Sequence, residues 1–336
     1  MSAIKRVEVE RSGRFYMTPD GTKLPSVTNI LGCIGKPALI NWAAKVEREL
    51  CIEAAANLWE DVPTSPKKMS RTAYIATLND RLGKTKAHQR ELAKAGDIGS
   101  EAHALIEWNL RSELGQKVGP QPRISDKATW AFMAYEEWRK GAGLVPKAIE
   151  QTIWNPVHGY AGTLDVLGTV TLGGAPHVAV LDWKTGKAIY AEALLQNAAY
   201  VRALIEMEHL SEPVHGLIVR LPKTETDPDF EVKVIPPEEH HELFLTFLAV
   251  KALWDWQQDQ EAKRSADPRD ALVAQVEARR KVLGIDGIAW QTLCKAQTDF
   301  VRYGYAEPPV IQRFLDYLNA LPTPDPQATL PMERSA

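Results

Sequence analysis

The sequence predicts an α/β fold of the α+β kind: one mixed sheet flanked by helices, with a mainly helical region before it and a small helical add-on after it. Three observations lead there. Beyond Pro146 the patterned segments run as three β-rich stretches, a helix and two more β-rich stretches, an order that an all-β sandwich does not produce. Apolar residues make up 45% and charged residues 25% of the chain, ordinary globular usage that excludes a disordered or fibrous protein. A length of 336 residues fits one large domain with an appendage, and so a sizeable core.

Taken in order, the first thirty residues read as short strands around a turn at Pro19-Asp20-Gly21, with Ser26 or Thr28 placed to cap a helix. Pro37 opens a second helix, PALINWAAKVERELCIEAAANLWE. From Ser65 to Leu114 the pattern is mostly helical, with a loop near Gly83 and a break at Gly96-Asp97-Ile98-Gly99. Another helix spans about Ser125 to Lys140, where Trp130, Met133, Ala134 and Trp138 recur at helical spacing. Lys147 to Trp154, Tyr160 to Thr171, His177 to Lys184, Val214 to Leu221 and Phe230 to Ile235 are β-rich runs bounded by glycine and proline, and a helix from Ala191 to Glu208 separates the third from the fourth. A long helix from Glu238 to Lys263 closes this core. Asp267 to Leu321 reads as two or three helices with stops at Gly284, Gly287, Gly304 and Pro308-Pro309, and the proline-rich tail from Pro322 is expected to be disordered. The resulting division is a helical region 1–145, a core 146–263, an add-on 264–321 and a tail 322–336.

Several classes are disfavoured. No apolar run approaches the roughly 18 residues that span a bilayer. The N-terminus MSAIKRVEVERSGR lacks the apolar core of a signal peptide, so a cytoplasmic location is expected. Cys33, Cys51 and Cys294 are widely spaced without a C-x-x-C pair, implying neither a disulfide framework nor a cysteine metal cage. A net charge of -3 gives no global attraction to polyanions, yet Pro66 to Ala95 holds eight basic residues against two acids.

The chemistry concentrates in the third β-rich run, HVAVLDWKTGK. Strand alternation puts Val178, Val180, Asp182 and Lys184 on one face, so an aspartate and a lysine stand side by side at the strand's C-terminal end. The preceding run, GYAGTLDVLGTV, carries Asp165 among apolar residues, and Leu172-Gly173-Gly174-Ala175-Pro176 lets the two pair as a hairpin, so that Asp165 and Asp182 converge. Two unneutralised carboxylates on a mostly apolar sheet repel one another, and a divalent cation between them resolves the conflict. Lys184 beside them is suited to stabilise a developing anion or orient a water.

This arrangement resembles the PD-(D/E)XK nuclease superfamily, and within it the RecB-like branch. Gly99-Ser100-Glu101-Ala102-His103 has the form of that branch's G-x-x-x-H segment, and Gln196-Asn197-Ala198-Ala199-Tyr200 that of its Q-x-x-x-Y helix. Glu150 in KAIEQTIW is the candidate for the glutamate of the first core strand. The likeness covers about residues 24 to 260. It departs from the family name in lacking the proline before Asp165, which follows Gly162-Thr163-Leu164 in the G-x-x-D form. The resemblance implies a restriction-endonuclease-like core. It also implies a metal-dependent deoxyribonuclease, most often an exonuclease acting on a free end in recombination, repair or phage DNA processing.

Carried over residue by residue, His103, Asp165, Asp182 and the backbone carbonyl of Trp183 would hold Mg²⁺ or Mn²⁺. Lys184 would position water or neutralise charge, Glu150 would bind water or a second ion, and Gln196 and Tyr200 would orient the strand. Members with an iron-sulfur cluster use four flanking cysteines, and three in unrelated places imply no cluster. The basic stretch, with Lys67, Lys68, Arg71, Lys84 and Lys86, reads either as a solvated helix face or as a cationic arch along a DNA backbone, with Tyr74 or His88 available to stack on a base. Gly83-Lys84-Thr85 resembles the end of a P-loop, but Leu78 stands where glycine is needed, so a helicase partner would be a separate protein; a recombinase or a single-strand-binding protein is another expected partner. The competing readings are a lapsed nuclease fold that holds DNA ends or a partner protein, and an enzyme acting on RNA or branched DNA.

Overall fold

In a computed structural model, which describes residues 5–9, 13–61, 70–210, 213–227, 229–265, 267–300, 302, 304 and 306–323, the chain is mixed α/β with two sheets. It divides into two compact units, Met1–Ala252 and Leu253–Ala336. Lys67 and Lys68, and the tail beyond residue 323, lie outside the described residues.

The first unit opens with a small antiparallel sheet of β1 (Lys5–Val9), β2 (Gly13–Met17) and β3 (Lys23–Pro25). The expected turn closes β2 onto β3 through Gly21 at φ +86°, and Ser26 caps the short α1 (Val27–Leu31) by accepting from the Asn29 amide. Asn29 is a clamp on this sheet. Its side chain accepts from the Arg14 amide at 3.1 Å and donates to the Arg14 carbonyl at 2.9 Å. Three helices follow: α2 (Pro37–Asp61), α3 (Arg71–Leu82) and α4 (Ala87–Glu113).

The expected break at Gly96-Asp97-Ile98-Gly99 is absent, because α4 runs through it without interruption. A mid-helix glycine costs only about 1 kcal/mol. Packing uses the room: a Cβ at Gly99 would stand 3.0 Å from Thr185 Oγ1. Ser125 caps α5 (Asp126–Ala142), where Ala134 and Trp138 are buried as expected but Met133 is exposed; Ala131 and Tyr135 complete the inward stripe.

The second sheet has the order β4 (Val145–Asn155), β5 (Tyr160–Leu172), β6 (Ala175–Lys184), β7 (His215–Arg220), β8 (Glu231–Ile235), antiparallel except for the β6–β7 pair. The β5–β6 hairpin turns on Gly173 and Gly174, at φ +57° and +84°, left-handed at both positions as a two-residue turn of the favoured twist requires. The parallel crossover is α6 (Ala191–Glu206). One sheet face buries Val166, Val170, Ala179, Leu181 and Trp183 against α4 and α5, the main core. There Trp183 meets Tyr135 and Trp138 edge-on at 5.4 and 5.2 Å, contacts worth about 0.5–1.5 kcal/mol each beyond area burial. On the other face α6 is tied down by Asn197, which donates to the Val180 carbonyl at 3.0 Å.

The helix α7 (His240–Ser265) runs across the division between the units. Beyond it, α8 (Pro268–Leu283), α9 (Gly287–Thr298) and α10 (Pro308–Ala320) enclose their own core of Val276, Trp290, Cys294, Ile311, Phe314 and Leu318. Gly284 ends α8 in the left-handed region as expected, whereas Gly287 and Pro308 open helices rather than stop them. No helix among the described residues is long and apolar enough to cross a membrane.

Candidate metal centre and cleft

Strand register alone lines up three carboxylates. Ile149 pairs with Val166 and Gln151 with Leu164, which sets Glu150 opposite Asp165; Val166 pairs with Leu181, which sets Asp165 opposite Asp182 one step further. Like charges facing one another across a sheet are destabilising, and the ladder gives way at this rung. Glu150 takes φ +49°, rare for a residue other than glycine. The β5–β6 pairing stops at Val166–Leu181 while β6 continues along β7. The Trp183 amide finds its acceptor in the Asp165 side chain, at 2.7 Å from Oδ2.

Into this opening α4 brings His103. Its Nε2 lies 3.1 Å from the Trp183 carbonyl and its Nδ1 3.6 Å from Asp165 Oδ1. Donor atoms of His103, Glu150 and Asp165 all fall within 4.8 Å of one another, a spread that one divalent ion with bonds near 2.1 Å spans after small side-chain rotations. Arg111 holds the strand here, donating to the Ile149 carbonyl at 2.9 Å.

Asp182 has other company. Lys184 Nζ stands 2.5 Å from its Oδ2 and also donates to Gln196 Oε1 at 3.1 Å, while Gln196 Nε2 donates to Asp182 Oδ1 at 3.2 Å and to the Tyr200 hydroxyl at 3.0 Å. The expected helix face carrying Gln196 and Tyr200 is therefore bonded to the D-x-K strand. Gly162, first residue of the G-x-x-D segment, makes room for Tyr200, since a Cβ there would collide with the ring.

The electrostatics follow from this crowding. Burial pushes the Glu150 carboxyl up to about 7, reinforced by Asp165. Asp182 is raised by burial, against the pull of Lys184, and Asp165 is lowered because His103 outweighs its own burial. Burial disfavours the His103 imidazolium, yet Asp165 and Asp182 overcome that and raise it to about 9. The charged His103 ring is thereby held between Asp165 and the Trp183 carbonyl.

The structure brings His103, Glu150, Asp165, Asp182, Lys184, Gln196 and Tyr200 to one cleft of about 510 Å³. Within it His103, Glu150 and Asp165 have donor atoms close enough together to hold one ion, while Asp182 is paired with Lys184. The Trp183 carbonyl faces the same centre through His103.

The basic stretch is different: α3 buries no residue, Arg71, Lys84 and Lys86 are exposed, and none of them lines the cleft. Lys86, just ahead of α4, lies about 25 Å along the helix axis from His103. Tyr74 donates to the Ala55 carbonyl at 3.3 Å and His88 pairs with Glu47 at 2.9 Å, so both side chains are engaged by α2.

Sequence reasoning missed Arg6 and Arg14, which line the cleft from the N-terminal sheet. No local pattern marks them, because their nearness depends on that sheet docking beside β5, where Tyr16 and Thr163 are hydrogen-bonded at 2.9 Å and Ser26 bridges to Ala161. A legible signal did exist on α4. Gly96, Gly99, Ser100 and His103 are three and four residues apart, one helix face kept small where the cleft needs space. Compared with protein-family models the chain matches none, and it matches no curated protein.

Proposed function

We propose that the protein is a metal-dependent DNA nuclease of the PD-(D/E)XK type, RecB-like, and most specifically an exonuclease hydrolysing phosphodiesters from a free DNA end in recombination, repair or phage DNA processing. The observation that carries this reading is the carboxylate rung of Glu150, Asp165 and Asp182, with His103 at one end and the Lys184–Gln196–Tyr200 chain at the other. Buried charges persist only with partners, and here the partners are donors and a lysine facing an open cleft. A bound Mg²⁺ or Mn²⁺ would supply Lewis-acid polarisation of the phosphate and a water of lowered pKa, held by His103, Glu150 and Asp165.

The chain's own residues do the rest. Asp182 and Gln196 hold the Lys184 ammonium at the cleft wall, where it meets charge developing on the phosphate. Tyr200 fixes the Gln196 amide. The Trp183 carbonyl and Asp165 set the orientation of the His103 ring.

The test is digestion of end-labelled single-stranded, duplex and covalently closed circular DNA by the purified protein. Linear substrates should be degraded with Mn²⁺ or Mg²⁺, circles should resist, and chelation should stop the reaction. Folded protein that cleaves none of these with either ion overturns the proposal.

A further inference from the structure

A second cavity, of about 280 Å³, adjoins the cleft. Thr28, Lys184 and Gln196 line both, so the two spaces lie on either side of the Lys184 ammonium and Gln196. Tyr190 lines the second cavity together with the small residues Gly186 and Ala188. Tyr190 is 58% exposed, directly precedes α6, and its hydroxyl has no hydrogen-bond partner among the described residues. The hydroxyl thus adds no hydrogen bond to the fold, and more than half of the side chain faces solvent. The Lys36–Glu192 pair, at 3.2 Å, supplies one donor group and one acceptor group at the rim.

A cavity that borders the proposed phosphate site and presents an exposed aromatic side chain has the chemistry of a nucleobase subsite. Every base has a π-face, so such a platform accepts a strand without regard to sequence. From this we infer that Tyr190 stacks on the base of the nucleotide flanking the reacting phosphodiester, positioning the strand as it leaves Lys184. The inference rests on the nuclease reading and adds to it a place for the neighbouring nucleotide.

The experiment measures binding without cleavage, in Ca²⁺, of a fluorescein-labelled ten-nucleotide single strand by anisotropy, alongside strands carrying one abasic position at each step. The wild type should lose about 10-fold in affinity at one abasic position, the magnitude of a single base–aromatic stack. Tyr190→Ala should bind the intact strand as weakly as the wild type binds that abasic strand, and should no longer distinguish the two. Tyr190→Trp should restore the difference, which a merely structural tyrosine would not allow.

Equal affinities of wild type and Tyr190→Ala for the intact strand would overturn the subsite and leave the nuclease reading standing. A wild type that binds no strand and cleaves none would overturn both.

Discussion

Two charged regions stand out in this chain, and they are built in opposite ways. The carboxylate rung is assembled by the register of β4, β5 and β6, its aspartates are almost wholly buried, and Lys184, Gln196, His103 and the Trp183 amide are all committed to them. The basic segment before His103 is the larger charge by count. Yet Arg71, Lys84 and Lys86 are exposed, Arg90 caps the Thr85 carbonyl at 2.6 Å, and Lys94 pairs with Glu91 at 2.9 Å. Charge held in water costs little and can sit almost anywhere, whereas buried charge persists only where partners converge. Position, rather than quantity, separates buried charge held by converging partners from charge left in water.

The largest effect that would break this comparison lies in the rung itself. Asp165→Asn keeps an acceptor for the Trp183 amide but removes the charge that faces His103, and should lower Mn²⁺ affinity by more than about 100-fold, beyond what loss of a supporting contact costs. Lys184→Ala should cut cleavage by about 10²–10³, the scale of a lost transition-state donor, while leaving Mn²⁺ binding intact. Calorimetry beside a cleavage assay reads both, and wild-type turnover in Lys184→Ala would remove that residue from the chemistry.

Next in size is a proton. The pKa of His103 is raised to about 9 and that of Glu150 to about 7, and a protonated ligand cannot bind a metal, so Mn²⁺ binding at pH 7 should release about one proton from His103 and about half a proton from Glu150. Affinity should therefore climb as pH rises toward 9. Titrations in PIPES and in Tris, buffers of different ionisation heat, count the protons directly, and a release of about half a proton or less would show that His103 stays charged and outside the coordination sphere.

The smallest effect sharpens the contrast between the two sets of cations. Arg14 lines the cleft and its guanidinium has no ion-pair or hydrogen-bond partner among the described residues. Arg14→Gln should reduce the slope of log affinity against log salt by about 0.7, one phosphate on a single strand. The triple change of Arg71, Lys84 and Lys86 to glutamine should alter it less. A steeper loss in the triple variant would return the DNA path to the basic segment.

Much of this was legible beforehand, for identifiable reasons. The five strands announced themselves because β-rich runs sat between glycines and prolines, and the Gly173-Gly174 turn fixed the β5–β6 pairing that brings Asp165 to Asp182. The helix face of Gln196 and Tyr200 followed from a spacing of four. What escaped depended on contacts distant in sequence. The left-handed backbone at Glu150, a residue the sequence did single out, is one such feature, since no periodicity encodes it. The hydrogen bond from Gln196 to Asp182 is another. Gly96 and Gly99 read as helix breakers because local propensity does not record that Thr185 would crowd a side chain at Gly99.

The left-handed backbone at Glu150 has a further consequence, as a trade between stability and purpose confined to one dihedral angle. A side chain in that region costs about 1–2 kcal/mol that glycine does not incur. Glu150→Ala and Glu150→Gly both delete the carboxylate, but only the glycine also relieves the backbone, and its own loss of chain entropy offsets part of the gain. The glycine variant should therefore melt about 2 °C above the alanine variant, with Mn²⁺ binding impaired equally in both. At this one residue the chain gives up stability that any glycine would return, and keeps in exchange a carboxylate that glycine cannot provide.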